Sequence, residues 1–508
     1  MKNSWPTARL DGEALPRGPK LWVPEETPWT SESTDGLYLC EFVEVTIRIT
    51  KGSLAGQFVR LRHWQGDLYC DILRLNPETG RRRYTTYELW IPRKNSKSLL
   101  GSGLALDGLF DEMGAEVYSC AADKLQAKIV FQEVRAAVEQ SPELLAMLKV
   151  YRDAIECPST GSVYRALSSE AFTKEGLNPS RVLFDELHAQ PNAELWNVMN
   201  QGSGTREQPL IVALSTFGAR MGSDGNDSLG YQQYRYCKQV LAGEVDDPSF
   251  GCRVYETPAD ADHRDEANWP GANPALGDFL RVEDMRDRCQ RMPEADFRTK
   301  RLNIWVYALN PWLPFGSWAA CTDEREIPDG TEVVLGFDGS FSNDSTALVV
   351  ATIGETPHLD VAALWERPLT AEHDWRVPVF DVEEAIRGAC RRWQVREIVC
   401  DPFRWARTYQ ILESENLPII EYPQSPARMV PATQRFYEAV LNKTLTHSGN
   451  ADLARHIGNT TTKTDARGTR VDKPKGSAGK IDLAVAAVMA FDVATVTPTK
   501  VELRMAWA

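Results

Sequence analysis

The sequence predicts an α/β protein of 508 residues built from two successive domains. Strands alternate with helices between residues 84 and 216, which is the pattern of a parallel, doubly wound sheet. A segment rich in proline and glycine, residues 310–330, interrupts that pattern. Beyond it, three consecutive strands lead into a helix, a fourth strand and further helices. The first domain is therefore assigned to residues 51–315 and the second to residues 325–508.

An N-terminal extension, residues 1–50, precedes the first domain and ends in a β-rich stretch that starts at residue 37. In the first domain, apolar runs predict the strands and longer periodic segments predict the helices. A lid or linker is expected near the end of the domain. The expected strands are 85–91, 115–120, 181–184 and 210–214, and the expected helices are 98–109, 122–139 and 193–201.

The second domain shows a different order of elements. Its expected strands are 332–337, 346–353, 359–365 and 397–400, and its expected helices are 382–393, 433–445 and 481–494. A meander of three strands followed by helix, strand and helix is the order of a ribonuclease-H-like domain. This is an analogy of fold alone, and it assigns no activity.

Composition excludes several classes of protein. Hydrophobic residues make up 43% of the chain, so it can bury a sizeable core, and no apolar run approaches the roughly 18 residues that span a bilayer. The ten cysteines form no C-x-x-C pair, which disfavours a disulfide framework and a zinc site and fits a reducing cytosol. The net charge of −14 argues against indiscriminate nucleic-acid binding. Residues 461–480 nevertheless contain six Lys or Arg against two Asp, either a solvated loop or a DNA contact.

A phosphate-binding loop is expected between the first predicted strand and the helix after it. Lys97 and Ser98 match the last two positions of the pattern G-x-x-x-x-G-K-[ST], whereas Ile91 and Ser96 occupy its two glycine positions. The N-terminus of a helix offers free N–H groups and a positive dipole to phosphates. The alternative is a basic strand-to-helix turn without a ligand.

Two further strands end in polar residues. Asp185 and Glu186 follow the apolar strand 181–184, the place where P-loop enzymes carry a Mg²⁺-binding aspartate, and Glu186 could activate water. Ser215 and Thr216 follow the next strand and could sense the γ-phosphate. Helix capping and a simple turn are the alternatives. Because ligands of open α/β sheets bind at the carboxyl ends of the strands, the three motifs together favour ATP hydrolysis.

Acidic residues mark the ends of elements in the second domain. Asp338 ends its first strand, Asp401 ends its fourth, and Asp482 begins its last helix, while Asp344 follows six residues after Asp338. Clustered carboxylates repel one another unless hard cations neutralise them, and oxygen ligands suit Mg²⁺ or Mn²⁺. Two such ions could cleave a phosphodiester bond. Each acid taken singly is more often a turn or helix cap.

These motifs resemble those of the large terminase subunit of tailed bacteriophages of the HK97 kind. The loop Pro92-Arg93-Lys94-Asn95-Ser96-Lys97-Ser98 is similar to the variant P-loop of that family, which usually has glycine before the lysine. The resemblance extends over most of the chain. It also includes Trp64-Gln65 (adenine-reading motif), Leu183 to His188 (Mg²⁺ and glutamate motif), Ser215 to Gly218 (coupling motif), Asn273 to Gly277, Phe297 to Asn303, and the nuclease acids Asp338, Asp344, Asp401 and Asp482.

The resemblance implies a motor that hydrolyses ATP to pump double-stranded DNA through the portal into the procapsid, and a nuclease that cuts concatemeric DNA. It further implies a ring of five subunits, a small terminase subunit that selects DNA, no membrane partner, and residence in the host cytoplasm or on the procapsid rather than in the mature virion. An arginine from a neighbouring subunit commonly completes the ATP site, and Arg165 is the candidate here. The residues expected to bind ATP or its Mg²⁺ are Gln65, Arg93, Lys94, Asn95, Ser96, Lys97, Ser98, Asp185, Ser215 and Thr216.

Ser96 departs from the family pattern. Glycine reaches backbone conformations that serine reaches only at a cost, so we expect weak ATP turnover by the isolated chain. Three alternatives stay open: a helicase, a recombinase-type nuclease, and a portal-binding assembly protein with a decayed site. Helicases lack the carboxylate set and recombinases lack the ATP motifs, so finding both in one chain favours a terminase.

Overall fold

The computed structural model describes residues 28–52, 54–168, 176–202, 204–222, 227–307, 311–340, 345–367, 375–402, 405–473 and 479–495. The chain forms two compact units. The first comprises Met1–Arg220 and Asp227–Val306, and the second comprises Met221–Asn226 and Tyr307–Ala508. Within the described ranges, no helix is both long enough and apolar enough to cross a membrane.

The first unit is an α/β fold. Its elements in chain order are α1 (Gly36–Thr46), α2 (His63–Ile72), β1 (Thr86–Trp90), α3 (Lys97–Gly108), β2 (Glu116–Ala121), α4 (Lys124–Glu139), α5 (Pro142–Met147), β3 (Lys149–Val150), β4 (Ala154–Cys157), β5 (Ser162–Ser168), β6 (Arg181–Asp185), α6 (Glu194–Gly202), β7 (Leu210–Ser215), α7 (Leu229–Leu241), β8 (Phe250–Val254), α8 (Val282–Arg291) and α9 (Glu294–Leu302).

The sheet of the first unit has the strand order β3-β4-β5-β2-β6-β7-β1-β8 and is parallel from β5 to β8. Its central strands β6 and β7 are buried along their whole length, as expected of strands covered on both faces. Asp185 is paired with Leu214, and Ser215 is paired with Trp90. The register therefore brings the ends of β1, β6 and β7 to one edge, and the predicted doubly wound sheet is confirmed.

The prediction of a β-rich stretch at residues 37–50 is wrong, because residues 36–46 form helix α1. The β-branched residues near its end suggested a strand. Leu39, Phe42 and Val43 are instead buried together, and their spacing of three and four residues places them on one face of a helix. They belong to the same apolar core as Leu68 of α2 and Leu104 of α3. Tertiary packing has overridden local propensity here.

The second unit is also α/β. Its elements are β9 (Glu332–Asp338), β10 (Thr346–Thr352), β11 (His358–Trp365), α10 (Val379–Arg392), β12 (Gln394–Cys400), α11 (Ala406–Ser414), β13 (Ile419–Glu421), α12 (Pro426–Asn442), β14 (Thr446–His447), α13 (Ala451–Asn459), β15 (Thr461–Asp465), β16 (Gly468–Asp472) and α14 (Asp482–Thr495).

The larger sheet of this unit has the order β13-β12-β9-β10-β11-β14. Strands β9, β10 and β11 form the predicted antiparallel meander, and β12 lies parallel to β9. Helix α14 packs closely on β9 at Gly336, where an added Cβ would lie 2.2 Å from the carbonyl oxygen of Ala486. Glycine at position 336 is thus required for the close approach of this helix to the strand.

The basic segment 461–480 is an ordered hairpin over its described first part. Strands β15 and β16 pair antiparallel, with Thr461 opposite Asp472. The backbone N–H of Val471 donates to the Thr433 hydroxyl at 3.2 Å, which fastens the hairpin to α12. The interpretation of this part as a loop is therefore wrong, although residues 462–464 of the hairpin are exposed to solvent as that interpretation expected. The polar composition had concealed the alternation of the strands.

Candidate functional site

The loop between β1 and α3 places Lys97 at the first position of the helix. Its Nζ donates to the carbonyl oxygen of Ile91 at 3.0 Å and lies 3.6 Å from Oε1 of Glu186. Arg93 Nε lies 3.8 Å from the same carboxylate oxygen. Burial lowers the pKa of Lys97, while Glu186 and Asp185 act in the opposite direction. The loop therefore presents its cation to the end of β6.

Two residues of this loop adopt left-handed backbone conformations. Lys94 has φ of 76° and Ser96 has φ of 62°. Ser96 thus keeps the conformation for which glycine is favoured, at a cost of about 1–2 kcal/mol for a residue with a Cβ. The substitution has left the shape of the loop in the glycine-like region and has placed strain in it.

The carboxylates after β6 have opposite electrostatic environments. Burial, followed by the neighbouring Glu186, raises the pKa of Asp185 to about 7. Burial would also raise the pKa of Glu186, but Lys97, His188 and Thr216 together lower it below its ordinary value. Glu186 is therefore the ionised member of the pair, and Asp185 would become a better ligand once a cation replaced its proton.

Glu186 is tied to the end of β7. Its Oε2 accepts hydrogen bonds from the Thr216 hydroxyl at 2.8 Å and from the Thr216 N–H at 3.3 Å. His188 Nδ1 lies 3.1 Å from the same oxygen and 3.3 Å from the Ser215 hydroxyl. The structure thus joins Lys97, Glu186, Ser215 and Thr216. His188 had been noted only as the end of a motif, and its contact with Glu186 could not be read from spacing.

Asn95 shapes the loop through its side chain. Its amide nitrogen donates to Pro92 O at 3.2 Å and to Asn273 Oδ1 at 2.9 Å, and its oxygen accepts from Ala275 N at 3.2 Å. Both donors of the amide are therefore used within the protein. Asn273 had been noted only as the start of a stretch that resembles the family, and its contact with Asn95 could not be read from the sequence because the two residues are remote.

The end of α9 touches both the loop and β7. The N–H of Arg93 donates to the carbonyl oxygen of Lys300 at 2.9 Å. One turn later, Asn303 accepts a hydrogen bond from the N–H of Phe217 at 3.1 Å and donates to Tyr255 O at 2.9 Å. The phosphate-loop backbone and the residue after Thr216 therefore share one supporting helix end.

A cavity of about 370 Å³ adjoins the loop. Gln65, Ser96 and Leu99 contribute to its lining, together with Arg62 and Phe279. Oε1 of the buried Gln65 accepts the N–H of Arg62 at 2.9 Å, so this oxygen is already used within the protein. A pocket of this size is within the range that holds small ligands.

Ser98 and Arg165 are placed differently. Ser98 is half-buried in the first turn of α3, directly after Lys97. Arg165 is exposed in the middle of β5, paired with Tyr118 and Ala154, and not at the carboxyl edge of the sheet. The structure does not bring Arg165 to the other site residues, and its role toward a neighbouring subunit stays a prediction.

The acids of the second unit line a separate cavity of about 470 Å³. Cys400 is paired with Phe337, so Asp338 and Asp401 leave neighbouring strands side by side. Asp482 reaches the same cavity from the start of α14. Asp344 lies outside the described residues. The three acids predicted from distant parts of the sequence thus share one cavity.

Neutral groups hold two of these acids. Gln424 Nε2 donates to Asp338 Oδ1 at 2.8 Å. The N–H of Ser345 donates to Asp482 Oδ2 at 3.3 Å, and the Ser345 hydroxyl donates to the same oxygen. No sequence pattern had indicated Gln424 or Ser345, because each acts through a contact between remote segments.

The carboxylates that line this cavity are candidate ligands for a metal ion. In the part of the chain that the structure describes, no group of three or more His, Cys, Asp and Glu side chains is arranged as a metal site. The chemistry of the cavity still suits a hard cation, because carboxylates from Asp338, Asp401 and Asp482 line it, and Asp472 of β16 adds a fourth that the sequence analysis missed. These side chains would have to come closer together to share one ion.

The hairpin brings cations to this cavity. Arg470 and Lys473 contribute to its lining. Arg470 Nη1 donates to Asp465 Oδ2 at 2.9 Å, and Arg467 donates to the same oxygen at 3.1 Å. These hydrogen bonds lower the pKa of Asp465. Part of the local positive charge is therefore already neutralised within the hairpin.

Comparison with known proteins gives the family. The terminase large subunit ATPase domain matches residues 71–238, and the terminase large subunit endonuclease domain matches residues 244–362 and 370–497. The terminase large subunit of Enterobacteria phage HK97 is 29% identical over 514 residues, which cover 91% of this chain and 96% of that protein. Protein YmfN of Escherichia coli strain K12 is 27% identical over 362 residues, covering 62% and 77%.

A solved structure is similar as well. The crystal structure of the HK97 bacteriophage large terminase covers 91% of this chain and 100% of its own, with 24% identity and a TM-score of 0.46. The two matched domains together span most of the sequence; the first contains Lys97, Glu186 and Thr216, and the second contains Asp338, Asp401 and Asp482. The chain therefore belongs to the family of large terminase subunits, with an ATPase domain and an endonuclease domain.

Proposed function

We propose that this terminase subunit packages double-stranded DNA into a procapsid by ATP hydrolysis at the edge formed by β1, β6 and β7, and cuts concatemeric DNA at the acidic cavity of the second unit. The observation that supports this most directly is the contact of Glu186 with both Lys97 and Thr216. It joins the phosphate loop, the carboxylate motif and the coupling strand in one cluster. The proposed domain bounds are 51–315 for the motor and 325–508 for the nuclease.

Binding of ATP would exchange partners within this cluster. Lys97 would leave Ile91 O and Glu186 for the β- and γ-phosphates, with the side chain of Arg93 and the N–H groups of Lys94 to Ser98 around them and Gln65 at the adenine. Ser98 and Asp185 would hold Mg²⁺, which when bound neutralises charge on the phosphates. Glu186, relieved of Lys97, would orient the attacking water through its carboxylate.

The same exchange would act on Ser215 and Thr216. Glu186 holds the hydroxyl and N–H of Thr216 through one oxygen. When that oxygen turns to water, the end of β7 loses two hydrogen bonds and its position changes. We propose that this change is passed to DNA and that Arg165 serves a neighbouring subunit of a five-membered ring.

At the second site Asp338, Asp401 and Asp482, with Asp344, would hold Mg²⁺ or Mn²⁺. Two such ions, when bound, activate water and stabilise the leaving oxygen of a phosphodiester. The protein's own contribution is positional: Gln424 and Ser345 orient the carboxylates, while Arg470 and Lys473 can contact the phosphate backbone.

Further partners complete the proposal. They are the portal and a small terminase subunit that selects the DNA. The proposed place of action is the host cytoplasm, with docking on the procapsid during packaging. The test is packaging by the purified chain with procapsids, the small subunit, ATP and linear DNA, read as DNA protected from nuclease. Glu186→Gln is the matched control. Protection that is independent of ATP, or unchanged in the control, would contradict the motor.

A portal-binding protein with a decayed site makes a different prediction. It would not cut DNA under any condition. Divalent-dependent cleavage of plasmid by the purified chain, lost in Asp401→Ala with the fold retained, would exclude it. Cleavage unaffected by Asp401→Ala would instead contradict the assignment of the acidic cavity.

A further inference from the structure

The N-terminus of α14 is held by a buried histidine of α13. His456 is 0% exposed, and its Nδ1 accepts a hydrogen bond from the N–H of Leu483 at 3.0 Å. Leu483 follows Asp482, and the first N–H groups of a helix have no partner within the helix itself. A side-chain acceptor at this place therefore fixes the backbone that carries Asp482.

The contacts of the two ring nitrogens of His456 define which of them carries the proton. Nε2 lies 2.9 Å from Oε1 of Glu366, at the end of β11. Because Nδ1 accepts the Leu483 N–H, Nε2 must carry the proton and donate it to the carboxylate. Burial opposes the charge on Glu366, but His456 and Arg455 lower its pKa to about 2, so it is ionised. Arg455 Nη2 adds a hydrogen bond of 2.8 Å to its other oxygen.

Helix α13 also holds the chain on the other side of Asp482. Asn459 Nδ2 donates to the carbonyl oxygen of Lys480 at 3.2 Å. The backbone is thus fastened two residues before Asp482 and one residue after it, while Ser345 holds the carboxylate itself. These contacts leave Asp482 little freedom relative to the cavity that it lines.

We propose that His456, oriented by Glu366, is a positioning residue for the nuclease. It sets Asp482 against Asp338 and Asp401 without touching the substrate. The inference rests on the proposed nuclease function of the acidic cavity. Replacing a residue that orients a metal ligand without touching the metal typically changes metal affinity or activity by about 10- to 100-fold.

His447 is a matched control in the same unit. It is also buried, its Nδ1 accepts the N–H of Gly449 at 3.1 Å, and its Nε2 lies 2.8 Å from Trp318 O. Its contacts do not involve Asp482. If burial of a doubly bonded histidine were all that matters, replacing His447 and replacing His456 would have the same effect.

The experiment compares three variants of the full chain. In His456→Asn the side-chain oxygen occupies the place of Nδ1 and can still accept the Leu483 N–H, whereas His456→Gln can reach Glu366 but not Leu483. His447→Asn is the control. The readouts are Mn²⁺ binding followed by electron paramagnetic resonance, plasmid cutting, ATP hydrolysis and thermal unfolding.

The expected result is specific to the acceptor. His456→Gln should need about 10- to 100-fold more Mn²⁺ for half-saturation and should cut correspondingly less. His456→Asn and His447→Asn should resemble the unaltered chain, and ATP hydrolysis should be unchanged in all three. Equal losses in the Asn and Gln variants of His456, or no loss in either, would overturn the inference.

Two outcomes separate this inference from the proposed function. If the unaltered chain binds Mn²⁺ but does not cut, the proposed nuclease fails and the binding comparison still decides the role of His456. If it neither binds nor cuts, both fail. Should His456→Gln not fold, Glu366→Leu removes the acceptor that keeps the proton on Nε2; unchanged Mn²⁺ binding in that variant would then overturn the inference.

Discussion

The two candidate sites differ in how the charges of their side chains are compensated. At the edge of the first sheet, the cation Lys97 and the anion Glu186 are both buried and lie 3.6 Å apart. In the second unit, Asp338 and Asp482 accept hydrogen bonds from an amide and a hydroxyl, and carboxylates dominate the cavity. The first site must therefore exchange protein partners for its ligand, whereas the second has four carboxylates and two cationic side chains in its lining and would be favoured by further positive charge.

The largest effect on activity is expected at the acidic cavity of the second unit. Asp338→Asn keeps the volume and an oxygen but removes one negative charge from the cavity. Cutting should fall by about 10³-fold, because metal-assisted stabilisation is worth several kcal/mol, while ATP hydrolysis should persist. Plasmid cleavage and phosphate release from one preparation measure both. Loss of both activities in a folded variant would contradict the independence of the two sites.

Replacing Glu186 tests the proposed exchange in which Lys97 leaves Glu186 for the phosphates of ATP. Glu186→Gln should lower ATP hydrolysis by about 10²-fold or more, since a positioned base contributes at least that much. Nucleotide binding should remain, because Lys97 loses a competitor, and DNA cutting should survive. Phosphate release and binding of a fluorescent ATP analogue are the measurements. An equal loss of nucleotide binding would show that Glu186 holds the loop together rather than acting on water.

Glu88 extends this comparison to a third case, a buried carboxylate that has no cationic side chain as a partner among the described residues. Burial raises its pKa to about 7, against weaker opposing hydrogen bonds from Cys237 and Trp90. Within the described residues its Oε1 has no hydrogen-bond partner. Since the folded state retains the proton, Glu88 contributes stability that is fully present below its unfolded pKa and is lost as pH rises to about 7.

Glu88→Gln should therefore gain stability relative to the unaltered chain between pH 5 and pH 8, by up to about 3 kcal/mol for the first unit. Gln keeps an acceptor for Trp90 and Cys237 and does not titrate. Thermal unfolding at both pH values checks this, with the exposed Glu78→Gln as control. A difference that does not depend on pH would mean that Glu88 is ionised when folded.

The smallest effect is expected at Ser96. Ser96→Gly removes the left-handed strain of about 1–2 kcal/mol from the loop, and we expect no more than about 1 kcal/mol of it to act on the barrier to ATP hydrolysis. ATP turnover by the isolated chain should rise, by at most about fivefold. Phosphate release with and without DNA measures it. A slower glycine variant would show that the strained serine aids turnover.

The sequence predicted several features that depend on order along the chain. Strands β1, β2, β6 and β7 of the first sheet, the meander of the second and the sharing of one cavity by Asp338, Asp401 and Asp482 follow from apolar runs that end in polar residues, whereas β3, β4, β5 and β8 were not predicted. The helix α1 was missed because its β-branched residues are overridden by packing. Gln424, Ser345 and His456 were missed, and Asn273 was noted only as the start of a matching stretch, because their partners are remote and a single sequence carries no signal for such contacts.

The end of α9 limits how the ATPase edge can move. Lys300 and Asn303 lie within one turn, and each bonds a different functional segment, the backbone at Arg93 and the backbone at Phe217. Displacing one segment alone would break a hydrogen bond or distort that turn. If both segments move together with the helix, neither hydrogen bond is broken. A movement of the loop at Arg93 would then be coupled to a movement of the chain after β7 through the end of α9.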